Sequence, residues 1–493
     1  MSAFPAELLL KIFGNLQKES PDSLRAVSAS SREFSRVARP IVYSELRFSA
    51  YKPKNGTMSK KAFQRMDLWT SETVAPLVRT CIISRGVWGI NASEASLNGL
   101  LAVFLESIGR FSGLRSLVIR DVALERHLSE IFHLLPRLEE LDVELVYAKE
   151  PALFEPKVVA GTGLRSCKLK LGLKDGLQAF LPFFRPESLV QLSLECKLQS
   201  WAKQAGDIPT FPKVSVLCLG GGAAEDTIAL LPKFPAVREL TFAVRDLDIS
   251  DFSARVFGPM LQTVKKADVP GVLVPFFLQN APNLTHVKLS DAELSSETIL
   301  TMLQQSESRN VVSVELYLNM PDAAILSALI AAFPQLEELH FQAYDGGMLC
   351  DYGGAQFGDA RKSFLDFLAG LGEHATATLP ATLKSLMITW YSDEGLDDEE
   401  NWRWMVELPE PWGDGPREGE PHTRAEVPAY LRSTRDAILA RLPALTSLWL
   451  DYPPVLVTWR REAPNAPVLH ESFVYRPGQP VPQIGPKEFW ASR

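Results

Sequence analysis

The pattern apolar-x-x-apolar-x-apolar recurs along most of the chain. It appears as LRSLVI at 114, LEELDV at 138, LRSCKL at 164, LVQLSL at 189, VSVLCL at 214 and VRELTF at 237. It continues as the degenerate LQTVKK at 261, LTHVKL at 284, VVSVEL at 311 and LEELHF at 336, with intervals of 23 to 27 residues between starts. Alternation inside each motif predicts a short strand with one buried face. Many strands are preceded by a proline, as in LLPRLEEL, FPAVREL, APNLTHV, FPQLEEL and LPALTSL. Before the proline lies an apolar helical stretch such as LERHLSEIFHL, which the proline ends. Each unit therefore reads as helix, proline turn and strand, and a period of this size predicts stacked repeats rather than separate globular domains. VRTCII at 78 is a plausible first unit, and LKSLMI at 383 and LTSLWL at 445 are late units that follow longer gaps.

The first residues have a different period. Leu8, Ile12 and Leu16 recur at four-residue spacing, Leu9 and Phe13 widen the stripe, and Pro5 and Glu7 suit a first helical turn. Ser20-Pro21-Asp22 predicts the N-cap and first turn of a second helix carrying Leu24 and Val27. Ser31 to Arg39 predicts a third with Phe34, Val37 and Ala38, stopped by Pro40. A segment this short buries little core, so part of its apolar surface is expected to meet a partner or the repeats. SAYKPKNGTMSKK then reads as a polar loop, placing a boundary near residue 50.

Composition narrows the functional classes. The net charge of −8 and the pI of about 5.6 provide no global positive field for nucleic acid or an anionic membrane. No apolar run approaches the roughly 20 residues that span a bilayer. The five cysteines are scattered without a C-x-x-C pair, which argues against a disulfide framework or a zinc site and for the cytoplasm or nucleus. Gly220-Gly221-Gly222 follows a strand, but Glu225 stands where G-x-G-x-x-G needs its third glycine, so a tight turn is expected there. With no G-x-S-x-G, no H-E-x-x-H and scattered histidines, the sequence points to a non-enzyme without cofactor or metal.

Within each strand the alternate positions should face outward and carry any recognition. These are Glu140 and Asp142, Lys168 and Lys170, Lys265, His286 and Lys288, Glu315 and Tyr317, and His340. Further along come Met387, the neighbouring pair Trp390 and Tyr391, and Trp449 with Asp451. Exposed aromatics beside charges suit a protein interface and favour the C-terminal half. Long insertions at about 343–380 and 391–440, the second containing DEGLDDEENWRW, fall in the same half. The proline-rich tail 453–493 keeps strand-like pieces at Val455 to Trp459 and Phe473 to Tyr475, suited to capping the array.

Two resemblances follow from these residues. The units from about 78 to 451 resemble leucine-rich repeats, although only Asn319 matches the usual Asn or Cys eight residues after the first Leu. Residues 4 to 46 resemble an F-box: Phe4-Pro5, Glu7-Leu8-Leu9, Ile12-Phe13, Asp22-Ser23-Leu24, Ser31-Arg32-Glu33-Phe34, and Ala38-Arg39-Pro40 with Tyr43. Ser23 and Ser30 stand where that family commonly has aliphatic residues. Together they imply an α/β fold: a three-helix F-box-like module over 1–48, a linker and leading helix over 49–77, and a solenoid of about 12 or 13 units over 78–452. By resemblance, Phe4, Pro5, Leu8, Leu9, Ile12, Phe13, Leu16, Leu24, Val27 and Phe34 would meet a Skp-family adaptor, and through it a cullin-RING ubiquitin ligase. The repeats would hold an unknown protein substrate, as in fungal F-box receptors. The alternative is a repeat scaffold outside any ligase, with the helices as a cap.

Overall fold

A computed structural model describes residues 5–49, 60–84, 99–120, 122, 134–145, 163–171, 184–196, 208–221, 224–243, 254–289, 296–304, 310–319, 323–345, 380–392, 427–452, 455–464 and 466–475. The chain forms two compact units, Met1–Val237 with Val244–Met260, and Arg238–Ala243 with Leu261–Arg493.

Three helices open the first unit: α1 (Ala6–Glu19), α2 (Pro21–Ser30) and α3 (Arg32–Val42). Leu9, Phe13, Leu24 and Ala38 make their core, against which Leu16, Val27 and Phe34 pack in part. Phe13 and Phe34 meet edge to face at 5.8 Å. The Ser31 hydroxyl caps α3 by accepting from the Phe34 N–H at 3.0 Å. Two local expectations fail. The Ser20 hydroxyl bonds the Ser23 hydroxyl at 2.7 Å instead of capping α2. Nor does Pro40 stop α3: it removes a single helical N–H, and the last turn closes when Tyr43 N–H donates to the Arg39 carbonyl at 3.1 Å.

Further elements of this unit include β1 (Glu45–Ser49), α4 (Lys60–Trp69), β2 (Thr80–Ser84), α5 (Gly99–Glu106), β3 (Ser116–Arg120), β4 (Glu140–Leu145), β5 (Ser166–Leu171), β6 (Gln191–Cys196), β7 (Val216–Gly220) and α6 (Ala224–Leu230). Its strands pair in chain order, all parallel. Thus β1 adds a strand ahead of the first leucine-rich unit. Gly221 leaves β7 at φ 78°, the left-handed conformation expected of a glycine turn.

Next in sequence come β8 (Glu239–Ala243), α7 (Ala254–Leu261), β9 (Lys266–Val269), α8 (Val274–Asn280), β10 (His286–Leu289), α9 (Ser296–Gln304), β11 (Ser313–Asn319), α10 (Ala323–Ala332), β12 (Glu338–Asp345), β13 (Ser385–Ser392), α11 (Val427–Arg441), β14 (Ser447–Tyr452), β15 (Val455–Arg461) and β16 (Val468–Tyr475). In the second unit β8 to β14 pair parallel, and β14–β15–β16 turn antiparallel. The fold is an α/β leucine-rich-repeat-type array.

The repeated prolines have a local cause. In unit after unit, the residue just ahead of the strand-leading position donates its N–H to the carbonyl three residues earlier: Leu138 to Leu135 at 3.1 Å, Leu284 to Ala281 at 3.1 Å, Leu336 to Phe333 at 3.1 Å, Leu445 to Leu442 at 3.0 Å. Pro136, Pro282, Pro334 and Pro443 are second in these β-turns, where proline's fixed φ is already correct. The strand-leading residue then bridges two units, its carbonyl accepting two N–H groups from the next. Arg79 O takes Arg115 and Ser116 at 2.8 and 2.9 Å, and Lys265 O takes Thr285 and His286 at 2.9 and 3.0 Å. The aliphatic residue before it is buried in each case, as with Leu114, Leu138, Val214 and Leu336, each 0% exposed. Such burial stabilises by about 1.5–3 kcal/mol per side chain.

The structure corrects one register. The degenerate motif begins at Val264, not Leu261, because β9 buries Ala267 and Val269 where other strands bury Leu and Ile. Lys265 is therefore the strand-leading residue, and Lys266 and Asp268 occupy the outward positions.

Candidate interaction surfaces

The apolar stripe of α1 divides in two. Leu9 and Phe13 turn into the three-helix core with Leu24, so these three hold the helices together rather than forming a surface. Leu16, Val27 and Phe34 are partly covered by the same core. Leu8 and Ile12, one turn apart, remain 50% and 46% exposed, with Pro5 exposed on the same side and Leu10 exposed on another. Phe4 lies outside the described residues. The outcome is a small closed core with an apolar strip left at the surface.

On the strands of the first unit the outward positions carry paired charges. Arg120 on β3 donates to Asp142 on β4 at 3.1 Å. Lys170 on β5 lies 2.9 Å from Glu144 on β4 and 3.9 Å from Glu195 on β6. Glu140 and Lys168 are exposed. Cys81 and Cys167, on the inward side, are fully buried, and burial pushes both thiols above their usual range, so neither is a reactive thiolate.

In the second unit the outward row from β9 to β12 reads Asp268, Lys288, Glu315, His340 in register. Lys288 Nζ is 3.1 Å from Glu315 and 3.9 Å from Asp268. Glu315 Oε1 also receives Gln342 Nε2 at 3.0 Å, and His340 Nδ1 is 3.5 Å away. Burial alone would raise the Glu315 pKa, but the His340 contact and the Lys288 charge outweigh it and hold this carboxyl down at about 2. Two residues before Lys288 on β10, burial and Lys266 lower the His286 pKa against the pull of Glu338 and Glu239. His286 Nδ1 is 2.8 Å from the Thr285 hydroxyl.

Beyond His340 the row continues to Met387 on β13 and Trp449 on β14. Both were expected outside; both are buried, at 1% and 5% exposure, as are Ser385 and Ser447, whose hydroxyls bond each other at 2.9 Å. Strand alternation identifies the face, and the face is covered here, so Trp449 is not an exposed contact. Tyr317, Trp390, Tyr391 and Asp451 sit on β11, β13 and β14, with side chains outside the described residues, as are both long insertions for the most part. Sequence reading missed the part of Asp268 and Gln342 in this network. Asp268 was hidden by the shifted register, whereas Gln342, two residues past His340 on the same face, was open to detection by the same alternation.

Among the described residues no cluster of three or more His, Cys, Asp or Glu is placed to hold a metal, and no helix is long and apolar enough to cross a membrane.

No protein-family model matches the chain, and no curated protein matches it. Solved structures similar to it include the crystal structure of the Rad7 and Elc1 complex in yeast, at 14% identity and TM-score 0.36, with 69% of this chain and 88% of that chain covered. Another is the TLR13–ssRNA13 complex, at 14% identity and TM-score 0.31, with 58% and 44% covered.

Proposed function

We propose that the chain is a non-catalytic substrate receptor of a cullin-RING ubiquitin ligase, working in the cytoplasm or nucleus. Residues 4–46 hold a Skp-family adaptor and the repeats hold the protein to be modified. The observation that carries this reading is the split stripe of α1: Leu9 and Phe13 complete the helical core, and Leu8 and Ile12 are left uncovered. A mere cap would turn those two side chains into the repeats, because leaving each about half exposed forgoes roughly half of the 1.5–3 kcal/mol that full burial is worth. The order of residues that resembles an F-box gives the strip its partner.

The test is co-purification of a Skp-family adaptor with the intact chain and with a Leu8→Asp/Ile12→Asp variant whose fold is checked by circular dichroism. Adaptor kept by the first and lost by the second supports the receptor. If neither chain retains adaptor, the protein is a repeat scaffold outside any ligase. The polar positions Ser23 and Ser30, both exposed, with Ser30 Oγ donating to the Val27 carbonyl at 2.7 Å, would then explain the failure.

A further inference from the structure

The turns of the first unit carry a charge that its strands do not. Arg79, Arg115 and Arg165 occupy strand-leading positions, with Glu139 opposing them. Two residues earlier in their turns lie Arg137 and Lys213, and three residues earlier still lie Arg110, Arg185 and Lys233. Eight cations thus face one anion in these three rows, within a chain of net charge −8.

Three of the eight have structural employment. Arg79 Nη1 donates to the carbonyls of Pro76 and Gly113 at 3.0 and 2.9 Å, Arg110 Nη1 donates to the Thr70 carbonyl at 3.1 Å, and Arg115 lies 3.6 Å from Glu139. The side chains of Arg137, Arg165, Arg185, Lys213 and Lys233 have neither hydrogen bond nor ion pair among the described residues, and all but Lys233 are exposed. Tying turns together does not require cations. In the second unit Arg461 donates to the Leu445 carbonyl at 2.9 Å, but other turns are tied by neutral groups: Asn283 donates to the Gln262 carbonyl at 2.7 Å, Asn310 to Pro282 at 2.8 Å and the Thr382 hydroxyl to Leu336 at 2.6 Å.

We propose that these five cations form a docking rim for an acidic peptide segment of a protein partner. They belong to successive turns, and neighbouring parallel strands lie about 4.8 Å apart, so the rim is roughly 20 Å long, the reach of about six extended residues. Arginine forks match carboxylates two bonds at a time, and the lysines add unspecific charge. A nucleic acid fits less well. Its long row of phosphates would be brought against Glu140, Asp142, Glu144 and Glu195 on the adjoining strands, whereas a short peptide lies along the rim alone. The proposal gives chemistry to the substrate-holding half of the receptor reading and is independent of its adaptor-holding half.

The experiment is fluorescence anisotropy of a labelled oligoglutamate peptide with the full chain, at low and high salt. Saturable binding is expected, weakened by salt and weakened at least about tenfold by Arg137→Ala/Arg165→Ala/Lys213→Ala. Arg165→Gln alone should weaken binding about two- to threefold, which keeps the test decisive if the triple variant misfolds. Lys265→Ala/Lys384→Ala in the second unit should leave binding intact. Absence of binding, equal binding by the rim variants, or tighter binding of a single-stranded oligonucleotide than of the peptide overturns the proposal. The rim variants should still retain adaptor, and Leu8→Asp/Ile12→Asp should still bind peptide, so the two readings fail separately.

Discussion

Lys170 and Lys288 are comparable centres of charge in the two units, with Lys170 one outward position further along its strand. Each stands on an outward strand position between acids on both flanking strands, Glu144 and Glu195 for the first, Asp268 and Glu315 for the second. The side chains of the first trio are 52%, 33% and 40% exposed; all three of the second are 24% exposed. The second trio also engages Gln342 and His340. The same charge pattern therefore has different worth, because water screens one group and only partly reaches the other. Periodicity specifies which charges meet, and burial decides what their meeting contributes.

The sharpest test removes the central cation. Lys288→Met leaves two half-buried carboxylates facing each other and should cost about 2 kcal/mol, below the roughly 3–5 kcal/mol of a fully buried pair. Urea unfolding followed by circular dichroism measures it, and a loss no greater than that of Lys170→Met would erase the contrast. Acid offers a second route. Glu315 is held below its unfolded value, so its contribution is fully present above about pH 4.5 and is lost as pH falls towards about 2. Glu315→Gln should flatten that part of the stability–pH curve, by an amount of up to roughly 3 kcal/mol. Asn310→Ala, which cuts a neutral turn-to-turn bond, should cost about 1 kcal/mol in the same assay. Lys170→Met should cost least, under about 1 kcal/mol, and added salt should shrink even that.

Much of this was legible in the residues. The inward rows and proline turns follow from a steric rule and an alternation, both local, so the strands lie where the leucine pattern puts them. The pattern slipped at β9, where Ala267 stands in for a leucine and is too small to register as a core position. The helical stripe of α1 was visible, but its division was not: Leu8 and Leu9 are equally apolar, and only the placement of α2 and α3 decides which is covered. Trp449 failed for a related reason, since parity along a strand names a face without saying what lies over it. The antiparallel β15 and β16 appeared only as strand-like pieces, because pairing direction is a tertiary property.

The doubly accepting carbonyl at the head of most of the described parallel strands makes that end a fixed ruler. It sets the step from one unit to the next, and a residue added or removed between Pro334 and Glu338 would shift every bond that follows. In sequence both long insertions depart from the other end, after Asp345 and after Ser392. An epitope or small domain grafted after β12 should leave the fold intact, while the same graft ahead of β12 should abolish it.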